Sequence, residues 1–264
     1  MSQTPTLRLA VAQAPADLSS PAARLEWLRS ILPGVAKQRA DLLLLPELFA
    51  CGYNIGDAVH ELAEPIEGPT FTAMAELAQR FGLALHYGFA EREGDTLYNA
   101  ALCVSPQGTV VSRQRKLVLP PGFERDYFTP GHGCDVFNYR GVKMATLICY
   151  DAEFPETIRH VAALGAQLIL VPTALGADWS WVADQMIPTR AYENGVYLAY
   201  ANSAGVQNGM AFLGRSVICA PDGIEVGRAG AEAEIIYANL DLSRVDAAQT
   251  RLPYLQDRHR LVLD

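Results

Sequence analysis

Residues 142–156 of the chain read VKMATLICYDAEFPE. The first seven, Val142–Ile148, form an apolar run broken only by a lysine and a threonine, which predicts a buried strand. Pro155 suits the first turn of a helix, where its missing N–H would have no partner in any case. We expect that helix to reach about Leu164. A buried strand that runs almost directly into a helix is typical of α/β proteins.

Similar strand-like and helix-like segments recur on both sides of this unit. Further strands are predicted at residues 7–13, 41–45, 83–90, 167–171 and 196–202, and further helices at about 21–39, 69–81 and 181–194. Two hairpins are predicted, 97–105 with 109–116 and 215–220 with 224–228, because turns containing proline and glycine separate their strands. No repeat or long linker divides the chain. The pattern predicts one α/β domain over residues 1–264 with mixed sheets.

The composition is that of a globular protein with no nucleic-acid footprint. Of 264 residues, 50% are hydrophobic and 19% charged, and 21 basic against 29 acidic side chains give a net charge of −8. Phosphate binding needs a basic surface, so we expect a small-molecule partner rather than nucleic acid. No apolar run approaches the roughly 18 residues of a membrane span. The first sixteen residues, which include Arg8 and Gln13, do not resemble a signal peptide.

Cysteine and histidine spacing argues against disulfides and metals. The five cysteines, at residues 51, 103, 134, 149 and 219, form no CxxC pair, which favours a reducing, cytoplasmic environment. His60-Glu61 begins like a zinc-protease helix but lacks the second histidine. The sequence therefore predicts no metal site. Nucleotide-binding glycine motifs and a GxSxG elbow are also absent.

Three segments place reactive side chains where predicted strands end. Glu47 follows the apolar run at 42–45, Lys116 ends a predicted strand with Glu124 eight residues further on, and Cys149 stands at the strand-to-helix elbow. Each has an ordinary structural interpretation: a loop carboxylate, a solvated charge cluster and a buried thiol. The elbow nevertheless has the geometry of a nucleophile, and a helix start favours a thiolate.

Taken together and in order, these segments resemble the nitrilase superfamily of carbon–nitrogen hydrolases, whose triad is Glu-Lys-Cys. The matching segments are Pro46-Glu47, Gly52-Tyr53-Asn54, Tyr98-Asn99, Arg115-Lys116, Phe128-Thr129-Pro130-Gly131, Cys149-Tyr150-Asp151, Phe154-Pro155-Glu156, Val171-Pro172-Thr173 and Arg190-Ala191-Tyr192-Glu193-Asn194. The resemblance implies a four-layer α-β-β-α sandwich, with two mixed sheets face to face and helices outside. It also implies a homodimer or a larger homo-oligomer.

The resemblance implies a role for each residue. Cys149 would attack an amide carbonyl and form a thioester, and Glu47 would act as base and then as acid. Lys116 and the backbone N–H of Tyr150 would stabilise the oxyanion. Glu124, where several members carry a second catalytic glutamate, would hold Lys116 or the substrate and water. No metal or organic cofactor is required.

The segment after the cysteine bears on the substrate. Several relatives that act on carboxylate-bearing substrates carry an arginine within a few residues of the nucleophile, whereas this chain has Asp151-Ala152-Glu153. The acidic segment disfavours a carboxylate and favours an ammonium group, unless Glu153 pairs with Arg190 or another basic residue of the fold. The likeness is greatest to 5-aminopentanamidase and stereoselective amino-amide amidases. The candidate substrate contacts are Tyr53, Glu153, Thr173 and Trp179.

We therefore expect an amidase that converts a primary carboxamide, aliphatic or amino-bearing, to a carboxylate and ammonia. A nitrilase or a hydrolase of N-carbamoyl amino acids or β-ureidopropionate would use the same triad, so these activities stay open as alternatives. A catalytically silent binding homologue is the alternative outside enzymes. The presence of Glu47, Lys116 and Cys149 argues against it.

Overall fold

A computed structural model describes residues 6–262, and in that range fourteen strands form two mixed sheets. The first sheet contains β1 (Thr6–Pro15), β2 (Leu42–Leu44), β3 (Ala84–Glu93), β4 (Thr96–Val104), β5 (Val110–Arg115), β10 (Ser203–Gln207), β11 (Met210–Leu213) and β14 (Glu234–Asp241). The second contains β6 (Val136–Tyr139), β7 (Val142–Thr146), β8 (Leu168–Pro172), β9 (Tyr197–Ala201), β12 (Val217–Cys219) and β13 (Glu225–Arg228). Parallel strands occupy the middle of each sheet: β10, β1, β2 and β3 in one, and β7, β8 and β9 in the other.

Eight α-helices flank the two sheets within the described range. They are α1 (Pro21–Lys37), α2 (Val59–Leu62), α3 (Pro69–Phe81), α4 (Phe123–Tyr127), α5 (Pro155–Ala163), α6 (Ile187–Asn194), α7 (Ser243–Arg251) and α8 (Tyr254–Asp257). Local signals fix several helix ends. Pro21 opens α1 behind a Ser20 cap that accepts from the N–H of Ala23, and Gly82 closes α3 in the left-handed conformation.

The leucines of β2 show how the layers arise. Leu42 and Leu44 pack in the core between the two sheets, while Leu43 and Leu45 pack beneath α1 and α3. Successive side chains of a strand point to opposite faces, so a strand covered on both faces must be apolar throughout. α5 and α6 cover the second sheet in the same way. The four-layer α-β-β-α prediction is confirmed.

The structure also departs from the predictions. Residues 181–194 are not one regular helix: a π-helical turn at Val182–Met186 precedes α6. The strands β6, β10, β11 and β14 were not predicted. β6 and β11 are short strands that form hairpins with β7 and β10, whereas β10 and β14 pair with β1, about two hundred residues away in the chain. The single unit predicted over 1–264 includes residues 1–5 and 263–264, which lie outside the described range. None of the helices within residues 6–262 has both the length and the apolarity needed to cross a bilayer.

Candidate active site

Four strand ends meet at one edge of the sandwich. Glu47 follows β2 and Lys116 follows β5 in the first sheet, whereas Cys149 follows β7 and Thr173 follows β8 in the second. The N–H of Glu47 donates to the carbonyl oxygen of Thr173 across 3.3 Å. Ligand sites of α/β sheets form at the carboxyl ends of parallel strands. The reactive side chains predicted from the sequence are therefore brought together at the type of position where such sites occur.

A glycine in β3 lets the Glu47 loop lie close to the sheet. A Cβ atom on Gly88 would lie 2.3 Å from the backbone nitrogen of Leu48 and 2.7 Å from Cα of Glu47. Leu48 itself has a φ of +48°, in the left-handed region that L-residues rarely adopt. The turn is thus held in an unusual conformation that places the Glu47 side chain inside the protein.

Lys116 is the centre of a buried ionic network. Its Nζ donates to Oε1 of Glu47 at 2.6 Å and to Oε1 of Glu124 at 2.5 Å, and all three side chains are excluded from solvent. Asn99 Nδ2 donates to Oε1 of Glu47 at 2.7 Å and to Oε2 of Glu124 at 3.0 Å. The hydroxyl of Tyr53 donates to Oε1 of Glu124 at 2.7 Å. The network holds one ammonium group between two carboxylates.

The network shifts the acidity of its members. Burial, reinforced by the charge of Glu124, raises the pKa of Glu47 to about 7, although Lys116 and Asn99 stabilise its charged form. Burial alone would lower the pKa of Lys116, but the charges of Glu47 and Glu124 outweigh it and hold that pKa above its ordinary value. Lys116 therefore stays protonated at neutral pH. It can donate hydrogen bonds and stabilise negative charge, but it cannot serve as the base.

One oxygen of Glu47 is left for chemistry. Its Oε1 accepts from both Lys116 and Asn99, whereas its Oε2 is buried and accepts no hydrogen bond from the residues that the structure describes. A buried carboxylate oxygen without a donor has a free lone pair, which is costly to maintain unless a substrate or a proton uses it. With a pKa near 7, this oxygen is suited to accept and return a proton at neutral pH.

Cys149 lies at a strained elbow between β7 and α5. Its φ is +45°, in the left-handed region. Cys149 begins a short 3₁₀ turn that ends at Glu153. The first N–H groups of this turn, including that of Tyr150, have no hydrogen-bond partner within it. Burial raises the pKa of the thiol, the charges of Glu47 and Glu124 raise it further, and Lys116 and Thr173 lower it only in part. Burial and the two glutamate charges thus oppose the resting thiolate that the helix start would favour. The thiol must lose its proton as it reacts.

The candidate substrate contacts divide into two groups. Tyr53 supports Glu124, and Thr173 is fully buried, with Oγ1 donating to the hydroxyl of Tyr200 at 2.9 Å. Glu153 is half-buried, and its carboxylate forms no ion pair among the described residues. Trp179 is 64% exposed. Its role as a substrate contact stays a prediction.

The alternative pairing for Glu153 is wrong. Arg190 donates to the backbone carbonyl of Glu153 at 2.7 Å and to the carboxylate of Glu193 at 3.0 Å. Burial raises the pKa of Glu153, whereas the positive charges of Lys116 and Arg190 lower it in part. The Glu153 carboxylate thus lies within the electrostatic reach of Lys116 without a direct partner of its own.

The sequence did not predict a functional role for two residues of the site, Asn99 and Asp151. Asn99, within the matching pair Tyr98-Asn99, links both glutamates. Asp151 is buried rather than facing a substrate with Glu153, and it accepts hydrogen bonds from the backbone on either side of the site. Burial raises its pKa to about 6, although Lys116 and these N–H groups favour the charged form. The sequence signals for Asp151 were its place in the matching segment Cys149-Tyr150-Asp151 and its position two residues after the nucleophile.

Comparison with known proteins identifies the family. The model of the carbon–nitrogen hydrolase family matches residues 8–250. The chain is 38% identical to a protein of Pseudomonas protegens described as a hydrolase in the pqqF 5′ region, over 98% of this chain and 91% of that one. It is 34% identical to an (R)-stereoselective amidase of a Pseudomonas species, over 84% and 81% of the two chains.

A solved structure agrees with these matches. The amidase from Nesterenkonia sp. AN1 superimposes with a TM-score of 0.87 at 34% identity, over 96% of this chain and 97% of that one. A variant of that amidase carries the acetamide moiety of fluoroacetamide covalently at its active site cysteine. The chain belongs to the carbon–nitrogen hydrolase family of the nitrilase superfamily. The prediction of a carbon–nitrogen hydrolase of the amidase type is confirmed at the level of this family.

Proposed function

We propose that the protein hydrolyses a primary carboxamide, aliphatic or amino-bearing, to a carboxylate and ammonia through a thioester on Cys149. The observation that carries this proposal is the buried network in which Lys116 occupies one oxygen of Glu47 and leaves the other without a partner. Acyl transfer requires a base with a free oxygen, a fixed cation and a nucleophilic thiol. All three lie at one edge of the sandwich.

The first half of the reaction breaks the carbon–nitrogen bond. Cys149 Sγ attacks the amide carbon while its proton passes to Oε2 of Glu47, and the carbonyl oxygen becomes an oxyanion held by Lys116 and the Tyr150 N–H. Glu47 then gives the proton to the departing nitrogen. The products of this half are ammonia and an acyl group bound to Cys149 as a thioester.

The second half restores the enzyme. Glu47 takes a proton from a water molecule, whose oxygen attacks the thioester carbon, and the same donors stabilise the new oxyanion. The carbon–sulfur bond then breaks, the carboxylic acid leaves, and the proton returns to Cys149. Glu124 and Asn99 hold Lys116 and Glu47 in place during both halves. These steps use only side chains, backbone groups and water.

An ammonia-release screen tests the proposal. Equal concentrations of aliphatic amides, amino-amides, N-carbamoyl amino acids and nitriles are compared with the wild-type protein. We expect primary amides to give the highest kcat/KM. A preference for nitriles or N-carbamoyl substrates would replace the proposed substrate class while retaining the Cys149 chemistry.

The pH dependence of kcat/KM should report the ionisation of Glu47. The base must be ionised before it can accept the thiol proton, so kcat/KM should fall as the pH drops through about 7. Asn99→Ala removes a donor that stabilises the ionised form, so the acidic limb should move to higher pH. Steady-state kinetics from pH 5 to 9 measure the shift. An unchanged or lower midpoint in Asn99→Ala would show that another group controls this limb.

Glu153 should set a preference for amino-amides. An ammonium group on the acyl part would donate a charged hydrogen bond to the unpaired Glu153 carboxylate. That bond is worth about 1.5–3 kcal/mol, which is about ten- to a hundredfold in kcat/KM. Terminal carboxylates should be poor substrates because like charges repel in a partly dry cleft. At high pH the preference should fade as the substrate amine loses its proton.

The test compares an amino-amide with an uncharged amide of equal length. Glu153→Gln should remove the preference, and Glu156→Gln, an exposed glutamate on the same segment, should keep it. Equal kcat/KM for both substrates in the wild-type protein would assign Glu153 a structural role. The amidase proposal would survive that result.

We also infer a cytoplasmic location and a homodimer or larger assembly. All five cysteines are free, which fits a reducing compartment. Leu164 after α5, Tyr192 on α6 and Trp181 before it are exposed apolar side chains, which support association through the helical layer outside the second sheet. Light scattering after size-exclusion chromatography measures the assembly. A monomer at micromolar concentration would contradict this part.

A further inference from the structure

The fully buried carboxylate of Asp151 contacts two separate chain segments. Its Oδ1 accepts from the N–H of Leu117 at 3.0 Å and from that of Val118 at 2.9 Å. Its Oδ2 accepts from Leu117 at 3.2 Å and from Ile148 at 3.1 Å. No cationic side chain forms an ion pair with Asp151 within the described range. Three backbone groups therefore satisfy it.

The two segments belong to different sheets. Leu117 is the residue after Lys116, beyond the end of β5 in the first sheet, and Ile148 is the residue before Cys149, beyond β7 in the second. Hydrogen bonds from Asp151 thus join the backbone one residue from the cation to the backbone one residue from the thiol.

No other hydrogen bond of the ionic network provides this link. Glu47 and Asn99 follow or lie in strands of the first sheet, as does Lys116, so their contacts fix the cation and the base relative to each other. Of Glu47, Lys116 and Cys149, only Cys149 comes from the second sheet. Two other hydrogen bonds join the sheets nearby: the backbone bond from Glu47 to Thr173, at 3.3 Å, and the bond between His86 Nε2 in β3 and Thr146 Oγ1 in β7, at 2.8 Å. Neither of them reaches the residues next to Lys116.

We propose that Asp151 is a positioning residue, which sets the distance between the Lys116 ammonium and the Cys149 sulfur by tying the two sheets together at the site. A carboxylate suits this role because it only accepts hydrogen bonds and has room for several donors. The role presupposes the amide hydrolysis proposed above.

Asp151→Asn is the first test. The amide keeps the shape of the side chain but turns an –NH₂ donor toward an N–H group, so one side of the bridge is lost. We expect kcat to fall on the order of 10²-fold with a much smaller change in KM, as for a misplacement of about 1 Å. Asp151→Ser, which keeps one acceptor, is made in parallel. If one of the two variants folds poorly, the other still tests the role of Asp151.

Alkylation of Cys149 by iodoacetamide, followed by mass spectrometry, gives a readout that needs no turnover. Lys116→Ala and Asp151→Asn should each slow alkylation of Cys149, and the double variant should be no slower than Lys116→Ala alone, because Asp151 acts through Lys116. A double variant slowed by the product of the two single effects would overturn the proposal.

Asp41→Asn is the matched control. The Asp41 carboxylate accepts from the N–H of Arg8 at 2.8 Å, just before β2 and away from the strand end that carries Glu47. The Asp41→Asn variant should have a lower melting temperature and an unchanged kcat. A kcat of Asp151→Asn within twofold of wild type would overturn the positioning role. Absence of amide hydrolysis in the wild-type protein would instead refute the proposed function, and the alkylation cycle would still decide the role of Asp151.

Discussion

Cys149→Ala is expected to abolish amide hydrolysis, with kcat reduced by roughly 10⁶-fold, as when other hydrolases lose their nucleophile. Without the sulfur no acyl-enzyme can form, and neither Glu47 nor Lys116 can replace it. The fold should persist because only one small, buried side chain becomes smaller. Activity is followed by ammonia release and folding by the thermal unfolding curve.

The control for this variant is another buried cysteine. Cys219 lies in β12 within the core beneath α5 and α6, away from the ionic network. Cys219→Ala should lose stability through the small cavity it creates and keep its kcat. Ordinary turnover by Cys149→Ala would rule out covalent catalysis at this residue.

Lys116→Ala is expected to lower kcat by 10²–10³-fold or more, on the order of the loss of a well-aimed oxyanion donor. It also leaves Glu47 and Glu124 facing each other in a dry site, so one of them should bind a proton and the protein should become less stable. Lys116→Arg should not restore the rate, because a planar fork cannot occupy the place of a compact ammonium group between two carboxylates.

Steady-state kinetics and thermal unfolding measure both effects. Lys143→Ala, at an exposed position on β7, is the control and should behave like the wild-type protein. Near wild-type kcat in Lys116→Arg would show that positive charge alone suffices, whatever its geometry.

The sequence predicts those parts of the fold that depend on local pattern. The run of leucines before Glu47 indicates a strand covered on both faces, and β2 has that environment. β14 was not predicted because its side chains alternate only weakly in polarity, and its pairing with β1, more than two hundred residues away, stabilises it. The π-helical turn before α6 was missed for a similar reason, since its sequence reads as regular helix.

The candidate site shows the same division. Glu47, Lys116, Glu124 and Cys149 could be proposed from the sequence because each stands in a recognisable segment, and the structure brings them to one place. Asp151 could not be interpreted correctly, because its partners are backbone N–H groups about thirty residues earlier in the chain. The raised pKa of the Cys149 thiol could not be predicted from the sequence either, since it depends on burial and on the charges of two glutamates that are distant in the chain.

The most direct test of the central claim is the mass of the protein when a reaction with a primary amide is quenched in acid during turnover. We expect a fraction of the protein to gain the mass of the substrate's acyl group, with ammonia already released, and peptide mapping to locate that mass on Cys149. The added mass should vanish once the substrate is consumed. An acyl group on a different residue, or steady turnover with no added mass at any quench time, would contradict the account.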